Sequence, residues 1–154
     1  MLVKTKYFGE IELTEDKVIT FENGIFGFED YKRYTLLYDV EEKGKRIISW
    51  LQNLEEETLA LPVISPEFVF PGYDPSVPSE IIESLGTLND DNAVVLLTLT
   101  VPSDLTKMTA NLKAPIIINS ETKKGCQVVA ENSDYMVKYN VYDKFQAQKE
   151  PKGE

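Results

Sequence analysis

Short apolar runs separated by turn-forming residues recur along the whole chain. Within residues 7–13 the segment Glu-Ile-Glu-Leu alternates polar and apolar side chains, which predicts a strand with one wet face. Residues 93–101 are almost entirely apolar and β-branched, which is typical of a central strand buried on both faces. Similar runs predict further strands at residues 18–21, 34–40, 47–54, 59–64, 108–112, 116–118, 126–130 and 135–142.

The connections between these runs predict the topology. Glu22-Asn23-Gly24 is a turn signal, because Asn and Gly tolerate positive φ. The charged segment at residues 41–45 and the segment at residues 120–125 each predict a hairpin turn. Ser79–Leu85 is the best helix candidate, with Ser79 as its cap and Gly86 at its end. We therefore predict a mostly β fold, a small antiparallel β-barrel-like single domain with one or two short helices.

The length of the chain, 154 residues, suits one domain. We place the barrel domain at residues 1–143. The remaining residues, 144–154, read KFQAQKEPKGE and are polar, which predicts a flexible C-terminal tail.

The segment at residues 66–78, PEFVFPGYDPSVP, combines four prolines with three aromatic rings. Because proline lacks an N–H and fixes φ, the segment is predicted to be neither an ordinary helix nor a central strand. Prolines also lower the entropy lost on binding, and aromatic rings are common interface anchors. Two interpretations remain open, since the rings could contact a partner, with at least one presented outward, or cover an open end of the barrel. The predicted partner-binding residues are Glu67, Phe68, Phe70, Tyr73 and Asp74.

The charge balance narrows the class of partner. The chain has 26 acidic and 16 basic residues, for a net charge of −10. This balance argues against direct nucleic-acid binding and against an anionic membrane surface, and it favours encounter with a basic partner. No apolar run approaches the roughly 18 residues of a membrane span, and the N-terminus lacks a signal-peptide pattern. With a single cysteine, the chain is expected to be cytoplasmic.

The sequence contains few residues in patterns that are typical of a catalytic site. The chain has no histidine, which removes the commonest general base and metal ligand. The acids Asp90 and Asp91 are typical of a solvated turn, and the Ser and Lys residues at 120–124 are typical turn formers. We interpret Cys126 as a buried core thiol. We therefore predict no enzyme, no cofactor and no metal. A barrel that binds a small ligand or peptide remains an alternative, and a carboxylate-based hydrolase is the least favoured one.

Five segments, in order and at similar spacing, resemble the family of the flagellar assembly factor FliW. They are TKYFGEIEL at residues 5–13, ENGIFGFED at 22–30, LALPVISPEFVFPGYD at 59–74, TANLKAPIIIN at 109–119 and GCQVVAE at 125–131. The resemblance extends to about Tyr142. The chain departs from the family at Phe26, where members often carry proline before the Gly-Phe pair.

The resemblance implies a non-enzymatic cytoplasmic protein with two protein partners. One is flagellin, held before export. The other is CsrA, an RNA-binding repressor that blocks translation of flagellin mRNA and that FliW-like proteins antagonise. Flagellin competes for the FliW-like protein, so flagellin that has not been secreted would shut down its own synthesis. The family fold is a compact β-barrel-like domain, in agreement with the strand pattern.

Overall fold

Short strands are the main regular elements of the structure, a computed structural model that describes residues 1–38 and 48–149. The strands are β1 Leu2–Lys4, β2 Glu10–Glu12, β3 Ile19–Thr20, β4 Arg33–Leu37, β5 Ile48–Asn53, β6 Ala60–Ile64, β7 Ala93–Thr100, β8 Thr109–Ala110, β9 Ile116–Asn119, β10 Lys124–Gln127 and β11 Tyr139–Asn140. The helices are α1 Pro66–Val69, α2 Ser79–Glu83 and α3 Tyr142–Lys149.

Seven of these strands close into a barrel. The order is β7-β6-β5-β4-β3-β10-β9, and β9 pairs back onto β7. Six contacts in this ring are antiparallel, whereas β3 and β10 are parallel, with Thr20 opposite Lys124. Strands β8 and β11 extend the sheet from the far end of β7, and β1 pairs with β2 separately. The predicted mostly β, barrel-like fold is confirmed, with one parallel contact that the sequence pattern did not indicate.

Alternating side chains of the barrel strands divide between an inner core and outer cores. Leu96 of β7 and Ile116 of β9 belong to the inner cluster. Leu97 of β7 and Ile64 of β6 point to an outer cluster, and Ile117 of β9 to a third cluster beneath α2. Because successive strand residues face opposite sides, each of these strands buries both faces. The prediction that residues 93–101 form a strand buried on both faces is confirmed.

The predicted turns have mixed outcomes. Strands β4 and β5 pair antiparallel, as do β9 and β10, so both hairpins are confirmed. The turn predicted at residues 41–45 lies outside the described residues. Gly24 adopts φ +71° in the predicted turn. The strand at residues 2–4 was missed in the sequence, because three residues are too few to show a period.

The local predictions about helices have mixed outcomes. Pro66 begins the one-turn helix α1, where its missing N–H is no loss because the first helical N–H groups lack intrahelical partners anyway. The segment, which we predicted to be neither an ordinary helix nor a central strand, therefore contains a single four-residue turn of helix. Ser79 does not cap α2, because Pro78 occupies the capping position and Ser79 already lies inside the helix. Gly86 follows the helix with φ +94°, as predicted for its end.

The predicted boundary between domain and tail at residue 143 falls inside α3. Phe145 of this helix meets the Phe68 ring, with centroids 5.3 Å apart. The first turns of α3 are therefore joined to the domain by packing. Residues 150–154 lie outside the described residues, and flexibility of the tail remains a prediction.

The buried side chain of Asn119, at the end of β9, connects two loops by hydrogen bonds. Its Nδ2 donates to the Leu85 carbonyl at 2.9 Å, and its Oδ1 accepts from the Glu121 N–H at 2.8 Å. Since the side chain is fully buried, we expect Asn119→Ala to lower the free energy of unfolding by about 2 kcal/mol. Asn140→Ala is the matched control, because this exposed side chain makes similar bonds that water can replace. Urea denaturation measures both, and equal losses would contradict the argument.

Candidate partner-binding surface

The proline-rich loop at residues 66–78 covers an outer face of the barrel. It follows the end of β6, and its aromatic rings pack against the outer cluster that contains Leu97 and Leu99. The barrel interior is filled by a different cluster, which includes Leu96 and Ile116. The interpretation that the rings close an open end of the barrel is therefore wrong in its location.

Phe70 lies at the centre of an aromatic cluster. Its ring makes edge-to-face contacts with Tyr73, Tyr135 and Tyr139 at centroid distances of 6.1, 5.5 and 5.4 Å. This geometry places the positive edge of one ring against the negative face of another, which favours the arrangement beyond its burial of area. The cluster joins the loop to the segment that leads into β11.

Tyr73 anchors the loop through both its ring and its hydroxyl. The ring stacks on Tyr135 at 4.9 Å, and the hydroxyl donates to the Leu112 carbonyl at 2.6 Å. Burial raises the pKa of Tyr73 well above its ordinary value, so the hydroxyl keeps its proton and donates. The Tyr135 hydroxyl in turn accepts from the Asp74 N–H at 2.8 Å.

The second half of the loop is held by Asn132. Its Oδ1 accepts from the Ser76 N–H at 2.7 Å, and its Nδ2 donates to the Asp74 carbonyl at 3.1 Å. The Lys113 ammonium donates to the Asn132 carbonyl at 2.7 Å, and the Glu131 N–H donates to the Ser76 carbonyl at 2.7 Å. Side-chain and backbone bonds thus fix the loop, which reduces the entropy that binding would cost.

The predicted site residues divide into packed rings and exposed acids. Phe68, Phe70 and Tyr73 are half-buried, and none of them is among the exposed large apolar side chains. Glu67 and Asp74 are exposed. The structure therefore packs the three rings against the same outer cluster, and it leaves the two carboxylates and the accessible parts of the rings facing solvent.

The sequence analysis missed the partners of these rings. Tyr135 and Tyr139 complete the aromatic cluster around Phe70, and Phe145 is the ring partner of Phe68. A signal was present in the three tyrosines at residues 135–142, which we interpreted only as part of a strand. In the TANLKAPIIIN segment, Asn111 Oδ1 accepts from the Lys113 and Ala114 N–H groups, so this side chain stabilises the turn after β8.

Features that would support catalysis or cofactor binding are few. Among residues 1–38 and 48–149, no three His, Cys, Asp or Glu side chains lie close enough to hold a metal ion. Backbone and hydroxyl donors lower the pKa of Glu29 and Glu56, whereas a carboxyl that acts as a general acid needs a raised pKa. Cys126 is half-buried, and burial raises the pKa of its thiol, which disfavours the reactive thiolate.

The barrel mouth beside Leu36, Val94 and Ile118 is small. Its volume of about 210 Å³ is below the roughly 300–1,000 Å³ of typical ligand pockets. This opening is therefore below the typical size, whereas a groove of about 510 Å³ beside Phe28 and Leu61 lies within that range. None of the described helices has the length and hydropathy needed to span a membrane.

Comparisons with known proteins agree with the sequence resemblance. The family model described as FliW protein matches residues 2–141. Flagellar assembly factor FliW of Lachnoclostridium phytofermentans is 61% identical over 95% of this chain and 94% of its own, and that of Thermotoga neapolitana is 43% identical over 97% and 98%. A crystal structure of the flagellar assembly factor FliW superposes with a TM-score of 0.82, at 32% identity, over 92% of this chain and 96% of that one. The chain therefore belongs to the FliW family of flagellar assembly factors.

Proposed function

We propose that this flagellar assembly factor acts without catalysis in the cytoplasm, by exchanging two protein partners. One partner is a CsrA-type RNA-binding repressor, whose inhibition of flagellin mRNA translation it relieves. The other is flagellin before export. Mutually exclusive binding makes the free repressor concentration depend on the flagellin that has not left the cell. The switch requires only relative affinities and concentrations, with no bond made or broken.

Family membership over residues 2–141 is the observation that carries the proposal. The net charge of −10 supports it, because a repressor that binds RNA phosphates presents basic surface. An acidic protein is attracted to such a surface and repelled by RNA itself.

We place the contact surface on the loop at residues 66–78. Exposed Glu67 and Asp74 would meet basic groups of the partner, and the accessible edges of Phe68, Phe70 and Tyr73 would supply apolar contact. Because the loop is already fixed by the Tyr73 and Asn132 hydrogen bonds, little conformational entropy is lost when it binds.

Binding measurements with purified proteins test the proposal. Isothermal titration calorimetry should detect complexes with the CsrA-type repressor and with flagellin from the same organism. Flagellin added to the preformed repressor complex should release the repressor and restore its binding to flagellin mRNA leader RNA. Failure of either binary complex to form, or a ternary complex in which RNA binding stays blocked, would refute the partner exchange.

Salt should slow formation of the repressor complex. If opposite charges steer the encounter, the association rate constant should fall about tenfold or more between low and physiological salt, with a smaller change in dissociation. Stopped-flow fluorescence at several salt concentrations measures both rates. Charge would have no part in the encounter if the association rate were independent of salt.

A further inference from the structure

A shallow groove of about 510 Å³ lies at the end of the barrel where β6 begins. We call it the aromatic groove, and its lining includes Lys6, Phe28, Tyr31, Glu56 and Leu61. Tyr31 and Leu61 also pack against the barrel interior, so the groove has a firm floor. The loop at residues 66–78 follows the other end of β6, and the two surfaces are therefore separate.

Phe28 is the exposed aromatic side chain of the groove, and backbone hydrogen bonds hold the turn that carries it. Phe28 is 37% exposed, although its N–H donates to the Ile25 carbonyl at 2.7 Å and its carbonyl accepts from the Tyr31 N–H at 3.1 Å. The neighbouring Phe26 N–H donates to Gln127 Oε1 at 2.9 Å. A partly exposed ring on a turn that is fixed in this way suits a preformed contact.

Carboxylates surround the groove. Glu56 lines it, and Glu29 and Asp30 lie on the turn beside Phe28. The Gly27 N–H lowers the pKa of Glu29, and the Thr58 hydroxyl lowers that of Glu56, so both remain charged at neutral pH.

The basic side chains nearby have local partners of their own. The Lys6 ammonium lies over the Tyr7 ring, 5.2 Å from its centroid. The Arg33 guanidinium is 3.7 Å from a carboxylate oxygen of Glu55. Lys6 itself lines the groove, and Lys32 lies close enough to Glu29 to lower its pKa. The groove therefore combines an apolar floor with a mixed rim, in which the three carboxylates of Glu29, Asp30 and Glu56 outnumber the two ammonium groups of Lys6 and Lys32.

We propose that the aromatic groove is a second docking site, for a protein segment that inserts one aromatic or aliphatic side chain and carries lysine or arginine on either side. The inserted side chain would pack between Phe28 and Tyr31, and the flanking cations would meet Glu56, Glu29 and Asp30. This charge complementarity selects a basic segment over an acidic one of the same shape. The site is independent of the proposed partner exchange, which we placed on the loop at residues 66–78.

Selection from a displayed library of short random peptides tests the proposal. Peptides enriched on the wild-type protein should carry lysine or arginine next to an apolar residue. Their dissociation constants, measured by fluorescence anisotropy, should rise about tenfold or more in Phe28→Ala, the loss typical of an interface anchor. Glu56→Gln should weaken binding less and reduce its salt dependence.

Phe26→Ala is the matched control. Phe26 is exposed on the same turn but does not line the groove, so its replacement should leave peptide affinity unchanged. Thermal melting checks that all variants stay folded, as expected for exposed side chains. Enriched peptides that lack basic residues, or that bind Phe28→Ala as tightly as wild type, would overturn the proposal, as would enrichment no greater than on Phe28→Ala.

Discussion

Replacing Gly24 with alanine is expected to lower the free energy of unfolding by about 2–5 kcal/mol, because the added methyl group has no room. A Cβ atom at this position would lie 2.5 Å from the Glu29 Cα and 2.7 Å from the Glu29 carbonyl oxygen. These are backbone atoms, which cannot rotate away as a flexible side chain could. The residue also has φ +71°, where alanine costs about 1–2 kcal/mol more than glycine. Overpacking and backbone strain therefore add.

Gly27→Ala separates these two costs. Gly27 lies in the same turn with φ +89°, but a Cβ there would have no atom within 4 Å. This variant should lose only about 1–2 kcal/mol, from backbone strain alone. Urea denaturation of both variants gives the difference, and similar losses for the two would show that the contact with Glu29 relaxes at little cost.

The sequence was sufficient to predict the strands and hairpins of the barrel. An apolar or alternating run identifies a strand from its own residues, and a turn signal pairs it with its neighbour, as in β9 and β10. Closure of the barrel could not be predicted in the same way. Closure depends on the parallel contact between Thr20 of β3 and Lys124 of β10. These residues lie far apart in the chain, and no single turn connects their strands, so no local signal in the sequence pairs them.

At the candidate site, too, the sequence predicted local structure but did not predict which distant segments come into contact. The four prolines predicted a stiff loop, and the hydrogen bonds of Tyr73 and Asn132 agree with that prediction. The composition of the loop does not reveal which surface it covers. The loop packs against Tyr135 and Tyr139, which come from the C-terminal part of the chain. In the sequence these two residues were only members of another apolar run.

Replacing Phe70 with alanine should lower the free energy of unfolding by about 2–4 kcal/mol. The ring contacts Tyr73, Tyr135 and Tyr139 at once, and its loss would leave a cavity at the centre of the aromatic cluster. Burial of a full phenyl ring contributes about 3–5 kcal/mol, and the half-buried position reduces this value. Thermal and urea denaturation measure the loss.

Partner binding by the same variant then separates the two roles of the loop. If the loop is the contact surface, folded Phe70→Ala should bind the CsrA-type repressor or flagellin more weakly, because the cavity lets the fixed loop move. Asp74→Asn and Glu67→Gln should slow association while leaving stability within about 0.5 kcal/mol, since both side chains are exposed. A different result would contradict this placement of the contact surface. In that result Phe70→Ala loses stability, but its folded fraction and both charge variants bind the two partners normally. The loop would then serve only to cover Leu97 and Leu99, and the contact surface would lie elsewhere on the barrel.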